Sequence, residues 1–335
     1  MDYNTILIVD DEEDNLALLY RIFRNKYTIL KTTSPIEGLE IIKNNNVNVV
    51  ISDHKMPVMD GIEFLENVAK YNPDIIRILV TAFSDASILI DSINRASIYQ
   101  YVKKPYNPQE MTLIVEQAME YQQLKNDNNI LVADLKDLFS GTIMAIIEAL
   151  DAKDSFTLGR SRRVAFYALK IAQKLELSKD EQVKIELAGL LHDIGMIGIS
   201  DDILYKTEPL TSEEYTQIKE HVQHGVKILS EIKQLKDVIE IVRYHHEKYD
   251  GSGYPLGLVG DDIPLGARII AICDTFDSMI SYRAYRQALT PNEALNKIKT
   301  LTYTQFDPNL VQVFEEVFPS IINEIKNYDN LYLKL

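Results

Sequence analysis

The chain has 335 residues, 46% of them hydrophobic and 25% charged, enough for two domains that each bury a core. Its formal net charge of −15 excludes a sequence-blind nucleic-acid binder, which needs a basic face, but not a small anionic ligand held where a metal ion or a few arginines make one pocket positive. A single cysteine, Cys273, rules out an intrachain disulfide; the acidic opening MDYNTILIVDDEED is no signal peptide, and no apolar run reaches the ~18 residues of a membrane span, so a cytoplasmic protein without membrane insertion is expected.

Short apolar runs come first: TILIV (5–9), YTILK (27–31), VNVVIS (47–52), IIRILV (75–80) and IYQYV (98–102). Segments with helical spacing separate them, such as Ile62, Leu65, Val68 and Ala69. Five strands alternating with helices predict a flavodoxin-like, doubly wound α/β domain with a parallel sheet, whose site lies at the carboxyl ends of the strands. Asp10 and Asp11 follow the first run, Asp53 the third, Thr81 the fourth and Lys104 the fifth. Three carboxylates in one cleft repel one another, and an all-oxygen set suits Mg²⁺. With an ammonium and a hydroxyl added, the group would hold a phosphoryl on one acid, the central Asp53. Singly, each residue reads as a cap or loop residue; together, at one end of the strands, they argue against that.

The stretches ILIVDDE, VVISDHKMPVMDG, ILVTAF and YVKKPY resemble a response-regulator receiver domain over residues 1–122. The resemblance implies Asp53 as phosphoacceptor, with Asp10, Asp11 and the Lys55 carbonyl around Mg²⁺. It implies Thr81 and Lys104 on the phosphoryl group, Tyr101 as the switch aromatic, and a sensor histidine kinase as partner.

After Pro108 the pattern changes. Residues 109–150 hold no proline and one glycine, and Leu124, Leu131 and Leu138 recur every seven residues with Leu135 between the last two. A linker helix over 123–140 is predicted. It either pairs as a coiled coil in a homodimer or packs on its own domain.

From 141 to 335 the chain reads as all-α, broken by the turn-rich YDGSGYPLGLVGDDIP at 249–264. Five of the six histidines fall here: His192, His221, His224, His245 and His246. His192 and Asp193 lie side by side in the apolar GLLHDIGMIG, and Asp274 ends RIIAICD. Polar groups in such places need partners. Imidazole and carboxylate without thiolate suit Fe, Mn, Co, Ni or Zn, in a site between helices of a bundle; the alternative is hydrogen-bonded core histidines. Two metals bridged by a carboxylate would activate water and hold a phosphodiester. Nearby, HHEKYDGSGYP is either a plain turn or a functional loop bearing Tyr254. Arg283 and Arg286 share a helix face, and either hold phosphates or lie in solvent.

LLHDIGMIGI, HVQHG, HHEKYDGSGYP, CDTFDSM, YRAYR and TQFDP together resemble the HD-GYP family over residues 141–320. The resemblance implies an all-α HD-type helical bundle, two or three metals, often iron or manganese, and hydrolysis of cyclic di-GMP. It implies His192, Asp193, His221, His245, His246 and Asp274 as metal ligands, with Asp193 bridging and His192 and Asp193 central to catalysis. Arg283, Arg286, Tyr254 and Arg160 would meet substrate, and the loop would meet a diguanylate cyclase. His224 has no counterpart and is expected to be exposed. The sequence departs from the family at four places: Arg160 replaces a histidine, Met196 a lysine, Ala284 a proline, and Phe156 the glutamate of three-metal members.

Two transition metal ions are therefore expected, iron or manganese, with only one keeping a full ligand set. The first retains His192, Asp193 and Asp274; the second retains His221, His245, His246 and Asp193. Arg160 either repels a metal or replaces it as a fixed charge. The leading function is a cyclic di-GMP phosphodiesterase controlled by phosphorylation. The alternatives are a degenerate domain that binds cyclic di-GMP or a protein, and an HD hydrolase of another nucleotide.

Overall fold

The computed structural model describes residues 5–82, 96–153, 159–206, 208–281 and 287–332, with side chains in the last helix up to 325. It contains two compact units, Met1–Leu138 and Phe139–Leu335.

The first unit is a five-stranded parallel sheet in the order β2-β1-β3-β4-β5, made of β1 (Thr5–Val9), β2 (Thr28–Thr32), β3 (Val49–Asp53), β4 (Ile76–Thr81) and β5 (Gln100–Lys103). Successive side chains of a strand point to opposite faces. Ile6, Ile8, Val49, Ile51, Ile78 and Val80 accordingly pack with α1 (Glu13–Phe23) and the start of the helix after β5. Leu7, Val9, Val50 and Leu79 pack on the other face with α2 (Pro35–Asn44) and α3 (Gly61–Tyr71). Burial on both faces is why the runs read as continuous rather than alternating. The register pairs Val9 with Ser52, Asp53 with Val80, and Thr81 with Lys103, so the carboxyl ends come level.

The stretch 123–140 is the middle of one helix, α4 (Pro108–Lys153), rather than an element of its own. Met111, Val115 and Ala118 enter the first core, and Ile143 and Ile147 the second. Leu124, Leu131, Leu135 and Leu138 are between 56% and 67% exposed, which sets aside the reading in which they pack on their own domain.

The second unit is helical, with α5 (Arg160–Lys174), α6 (Lys179–Leu191), α7 (Asp201–Leu204), α8 (Ser212–Lys219), α9 (His221–Leu229), α10 (Lys236–Tyr244), α11 (Leu265–Ile280), α12 (Pro291–Thr300) and α13 (Pro308–Tyr332). Ser178 with Glu181, Thr211 with Glu214, and Thr290 with Glu293 form capping boxes that start α6, α8 and α12. α11 is apolar nearly all round and runs through the core. On it Phe276 contacts Tyr167, Phe314 and Phe318 with centroids 5.2–6.0 Å apart. Its buried Asp277 accepts from Arg163 at 2.7 and 3.0 Å and from the Tyr167 hydroxyl at 3.4 Å.

Phe276 is fully buried at the centre of this aromatic group. Phe276→Ala should destabilise the second unit by about 3–5 kcal/mol, read in urea as an earlier transition of the helical unit with the first unit's transition unmoved.

Candidate functional site

In the first unit, Asp53 ends β3 and Asp10 follows β1, both buried. Asp53 Oδ2 accepts from the Lys55 N–H at 2.9 Å, and Asp10 Oδ1 from Glu12 N–H at 3.0 Å and Asn15 Nδ2 at 2.9 Å. Lys104 Nζ reaches Asp10 Oδ2 at 3.0 Å and also bonds Asp53 Oδ1. Burial works against the ammonium, but these two carboxylates outweigh it and raise its pKa. Thr81 Oγ1 lies 3.1 Å from His54 Nδ1. Asp11 and Tyr101 are exposed.

The second unit gathers its histidines by a repeated device. His192 follows α6, His221 lies just beyond α8, and His245 follows α10. In each, Nδ1 approaches the carbonyl three residues back: Gly189 at 2.8 Å, Ile218 at 2.7 Å and Val242 at 2.6 Å. A carbonyl only accepts, so Nδ1 carries the proton and Nε2 is left for another partner. The last turn of a helix has carbonyls without intrahelical donors, and the imidazoles satisfy them.

Ligand atoms of Asp193, His221, His245 and His246 lie within 4.8 Å of one another, and so do those of His192, Asp193 and Asp274; among the described residues these are the two groups of three or more such side chains drawn that close. The groups share Asp193. In the first, Nε2 of the buried His221 and His245 has no hydrogen-bond partner. Burial and the neighbouring imidazoles lower the pKa of His245 well below the ordinary value, and that of His246 to about 4. Imidazole nitrogens without hydrogen-bond partners fit a transition metal.

In the second group each residue is already paired through one ligand atom. His192 Nε2 lies 3.2 Å from Asp193 Oδ2 and from Asp274 Oδ1. Arg160 Nε bonds Asp274 Oδ1 at 3.1 Å and lies 3.6 Å from Asp193 Oδ2, and Arg160 Nη2 bonds Asp274 Oδ1 at 2.5 Å. Burial opposes the charge on His192, but Asp193 and Asp274 hold its pKa up, to about 10. The same arginine keeps Asp274 ionised against the cost of burial.

The tight contacts explain local sequence. A β-carbon at Gly195 would stand 1.8 Å from the His221 carbonyl, so the turn after Asp193 packs directly on that backbone. Met196 is half-buried and closes this turn, its N–H donating to the Asp193 carbonyl at 2.8 Å. His224, expected to be exposed, is half-buried: its ring packs on Gly198, where a β-carbon would come within 2.5 Å of Nδ1. Tyr254 stacks on His246 with centroids 4.8 Å apart and planes at 28°. Arg283, Arg286, Ala284 and Phe156 lie outside the described residues.

Residues 6–116 match the response regulator receiver domain family and residues 144–310 the HD domain family. The chain is 31% identical over 324 residues to "Cyclic di-GMP phosphodiesterase response regulator RpfG" of Xanthomonas campestris pv. campestris, covering 91% of this chain and 85% of that one. This chain belongs to the family of response regulators that join a receiver to an HD-GYP domain. A "Cyclic di-GMP phosphodiesterase" of Thermotoga maritima is 29% identical over 92% of this chain and 89% of its own length. "3'3'-cGAMP-specific phosphodiesterase 2" of Vibrio cholerae is 34% identical over 58% of this chain and 38% of its own. No helix among the described residues is long and apolar enough to cross a membrane.

Two features of this HD-GYP domain escape the sequence reading. Lys219 Nζ stands 4.8 Å from the Tyr215 ring centroid and 5.1 Å from that of Tyr254, a cation between two aromatic rings beside His246. Glu247 is buried and accepts the N–H groups of Leu256 at 2.7 Å, Gly257 at 3.1 Å and Leu258 at 3.1 Å, clamping the loop. A β-carbon at Gly253 would stand 2.3 Å from the Lys248 nitrogen, which is why the loop can fold back over Glu247 only with glycine there. The adjacency of Glu247 to the histidine pair was its only signal in sequence.

Glu247→Ala leaves three loop N–H groups without their acceptor. The domain should lose about 3 kcal/mol, since hydrogen bonds to charged groups are worth roughly 1.5–3 kcal/mol each and water replaces some of them. Hydrogen exchange should show the loss concentrated in residues 249–264.

Proposed function

We propose that this response regulator hydrolyses cyclic di-GMP in its HD-GYP domain, under control of phosphorylation at Asp53 in its receiver. The observation that carries the reading is the buried cluster of Asp193, His221, His245 and His246, with Nε2 of two histidines unpaired. The donor set suits Fe, Mn, Co, Ni or Zn, and the family resemblance implies iron or manganese among them. Such a metal, when bound, supplies Lewis acidity toward a phosphodiester and lowers the pKa of water.

The chain's own residues do the rest. Asp193 faces both groups, and Tyr254 packs on His246 and keeps that ring in place. Lys219 offers a positive charge to a substrate phosphate. Arg283 and Arg286 take the other phosphate contacts, as the family resemblance implies.

In the receiver, Asp10, Asp11 and Asp53 hold Mg²⁺. Lys104, already between Asp10 and Asp53, pairs with the added phosphoryl, and Thr81 leaves His54 to donate its hydroxyl to it. Tyr101, exposed here, turns inward in response. A sensor histidine kinase supplies the phosphoryl. The exposed leucines of α4 pair two copies as a coiled coil, and the loop around Tyr254 meets a diguanylate cyclase.

One observation favours a second reading, a domain that binds without turnover: Arg160 sits on Asp274. Another nucleotide is favoured by the 3'3'-cGAMP-specific relative. Hydrolysis of cyclic di-GMP and 3'3'-cGAMP by the full chain, loaded with Fe²⁺ or Mn²⁺ and followed by chromatography, separates these. Turnover of cyclic di-GMP is expected, falling more than about 100-fold in His245→Ala/His246→Ala. Binding of both nucleotides without turnover would establish the second reading.

Labelling with a small phosphodonor and Mg²⁺ should put phosphate on the parent and none on Asp53→Asn. The rate difference between phosphorylated and unphosphorylated protein, about 5- to 150-fold for ordinary coupling, should vanish in that variant. Equal labelling of both proteins would refute Asp53 as the acceptor.

A further inference from the structure

The two groups that share Asp193 differ in what already faces their donor atoms. Around His221, His245 and His246, ligand nitrogens converge and two lack a hydrogen-bond partner. Around His192 and Asp274 a cation is already present. The Arg160 guanidinium places both Nε and Nη2 on Asp274 Oδ1 and sets Nε 3.6 Å from Asp193 Oδ2. Its side chain is 10% exposed, so water does little to screen it. His192 Nε2 lies 3.2 Å from an oxygen of each carboxylate, closing the set.

We infer that the HD-GYP domain of this chain holds one metal ion, on Asp193, His221, His245 and His246, and that the Arg160 guanidinium takes the place of a second beside Asp274. The inference deepens the metal-centre part of the function proposed above and does not depend on its substrate.

A divalent ion among His192, Asp193 and Asp274 would stand against a buried positive charge that bonds Asp274 Oδ1 and lies 3.6 Å from Asp193 Oδ2. Arginine stays protonated at any accessible pH and presents a planar fork, so it does not exchange as a metal does. Asp193 is divided accordingly: Oδ1 lies 3.6 Å from His221 Nε2, while Oδ2 faces Arg160 and His192. A carboxylate that would bridge two ions bridges one ion and a guanidinium. The positive charge on that side is built into the chain, set by position 160 at the first turn of α5.

The test is a count of tightly held metal in the full chain. Chelator-stripped protein is loaded with Mn²⁺ in buffer with excess Mg²⁺, which fills the receiver, then desalted and assayed by mass spectrometry and electron paramagnetic resonance. The parent should hold one equivalent with the spectrum of an isolated ion. Arg160→Lys should stay at one. Arg160→His should rise to two, with the spectrum of a coupled pair, and His245→Ala/His246→Ala should fall to near zero.

Two equivalents in the parent, or none, overturn the inference, and so does a folded Arg160→His protein that stays at one. If Arg160→His does not fold, the parent's stoichiometry and spectrum decide alone. One equivalent without hydrolysis of cyclic di-GMP removes the substrate reading and leaves this inference standing; hydrolysis with two equivalents does the reverse.

Discussion

A hydrogen bond from imidazole Nδ1 to the carbonyl three residues earlier recurs at His192, His221 and His245, and both groups that share Asp193 are built from it. Each bond does two things at once. It satisfies a carbonyl that the end of a helix leaves without a donor, and it fixes the ring so that Nε2 faces inward, without a hydrogen-bond partner at His221 and His245 and between two carboxylates at His192. The helices end where the ligands are needed, and the ligands finish the helices. Their packing therefore sets the geometry of the cluster, and the turn at Gly195, seated on the His221 carbonyl, holds Asp193 in register with it.

Charge divides what geometry brings together. Asp193 belongs to two groups, one of three imidazoles and one in which Arg160 and His192 face two carboxylates that hold the His192 pKa up. The second is a closed set, with two positive and two negative groups in a buried place. The same logic governs the receiver, where Lys104 lies between Asp10 and Asp53 and holds their negative charge together. Both sites are acidic clusters kept by a resident cation, within a chain whose net charge is −15.

The loop over the metal cluster owes its shape to one buried carboxylate. Glu247 gathers three backbone N–H groups, and Tyr254 lies flat on His246 as a result of that fold. Lys219 then rests against Tyr254 and Tyr215. The side of the cluster lined by the loop is thus aromatic and positive, the character a nucleotide phosphate meets favourably.

The sequence alone determined the alternation of strands and helices in the first unit, most clearly at β1, β3 and β4, because burial on both faces makes each of them a nearly continuous apolar run. It also determined the helical character of the second unit and the residue types at each site, since chemistry such as imidazole beside carboxylate is local. What it left open were contacts between residues far apart in the chain. Whether the leucines of α4 pack on their own domain depended on where the helix leaves the core, and they are exposed. The half-burial of His224 depended on Gly198, a neighbour only in space. Arg160 and Asp274 lie 114 residues apart, so only the packing of α5 against α11 decided that the guanidinium would rest on that carboxylate.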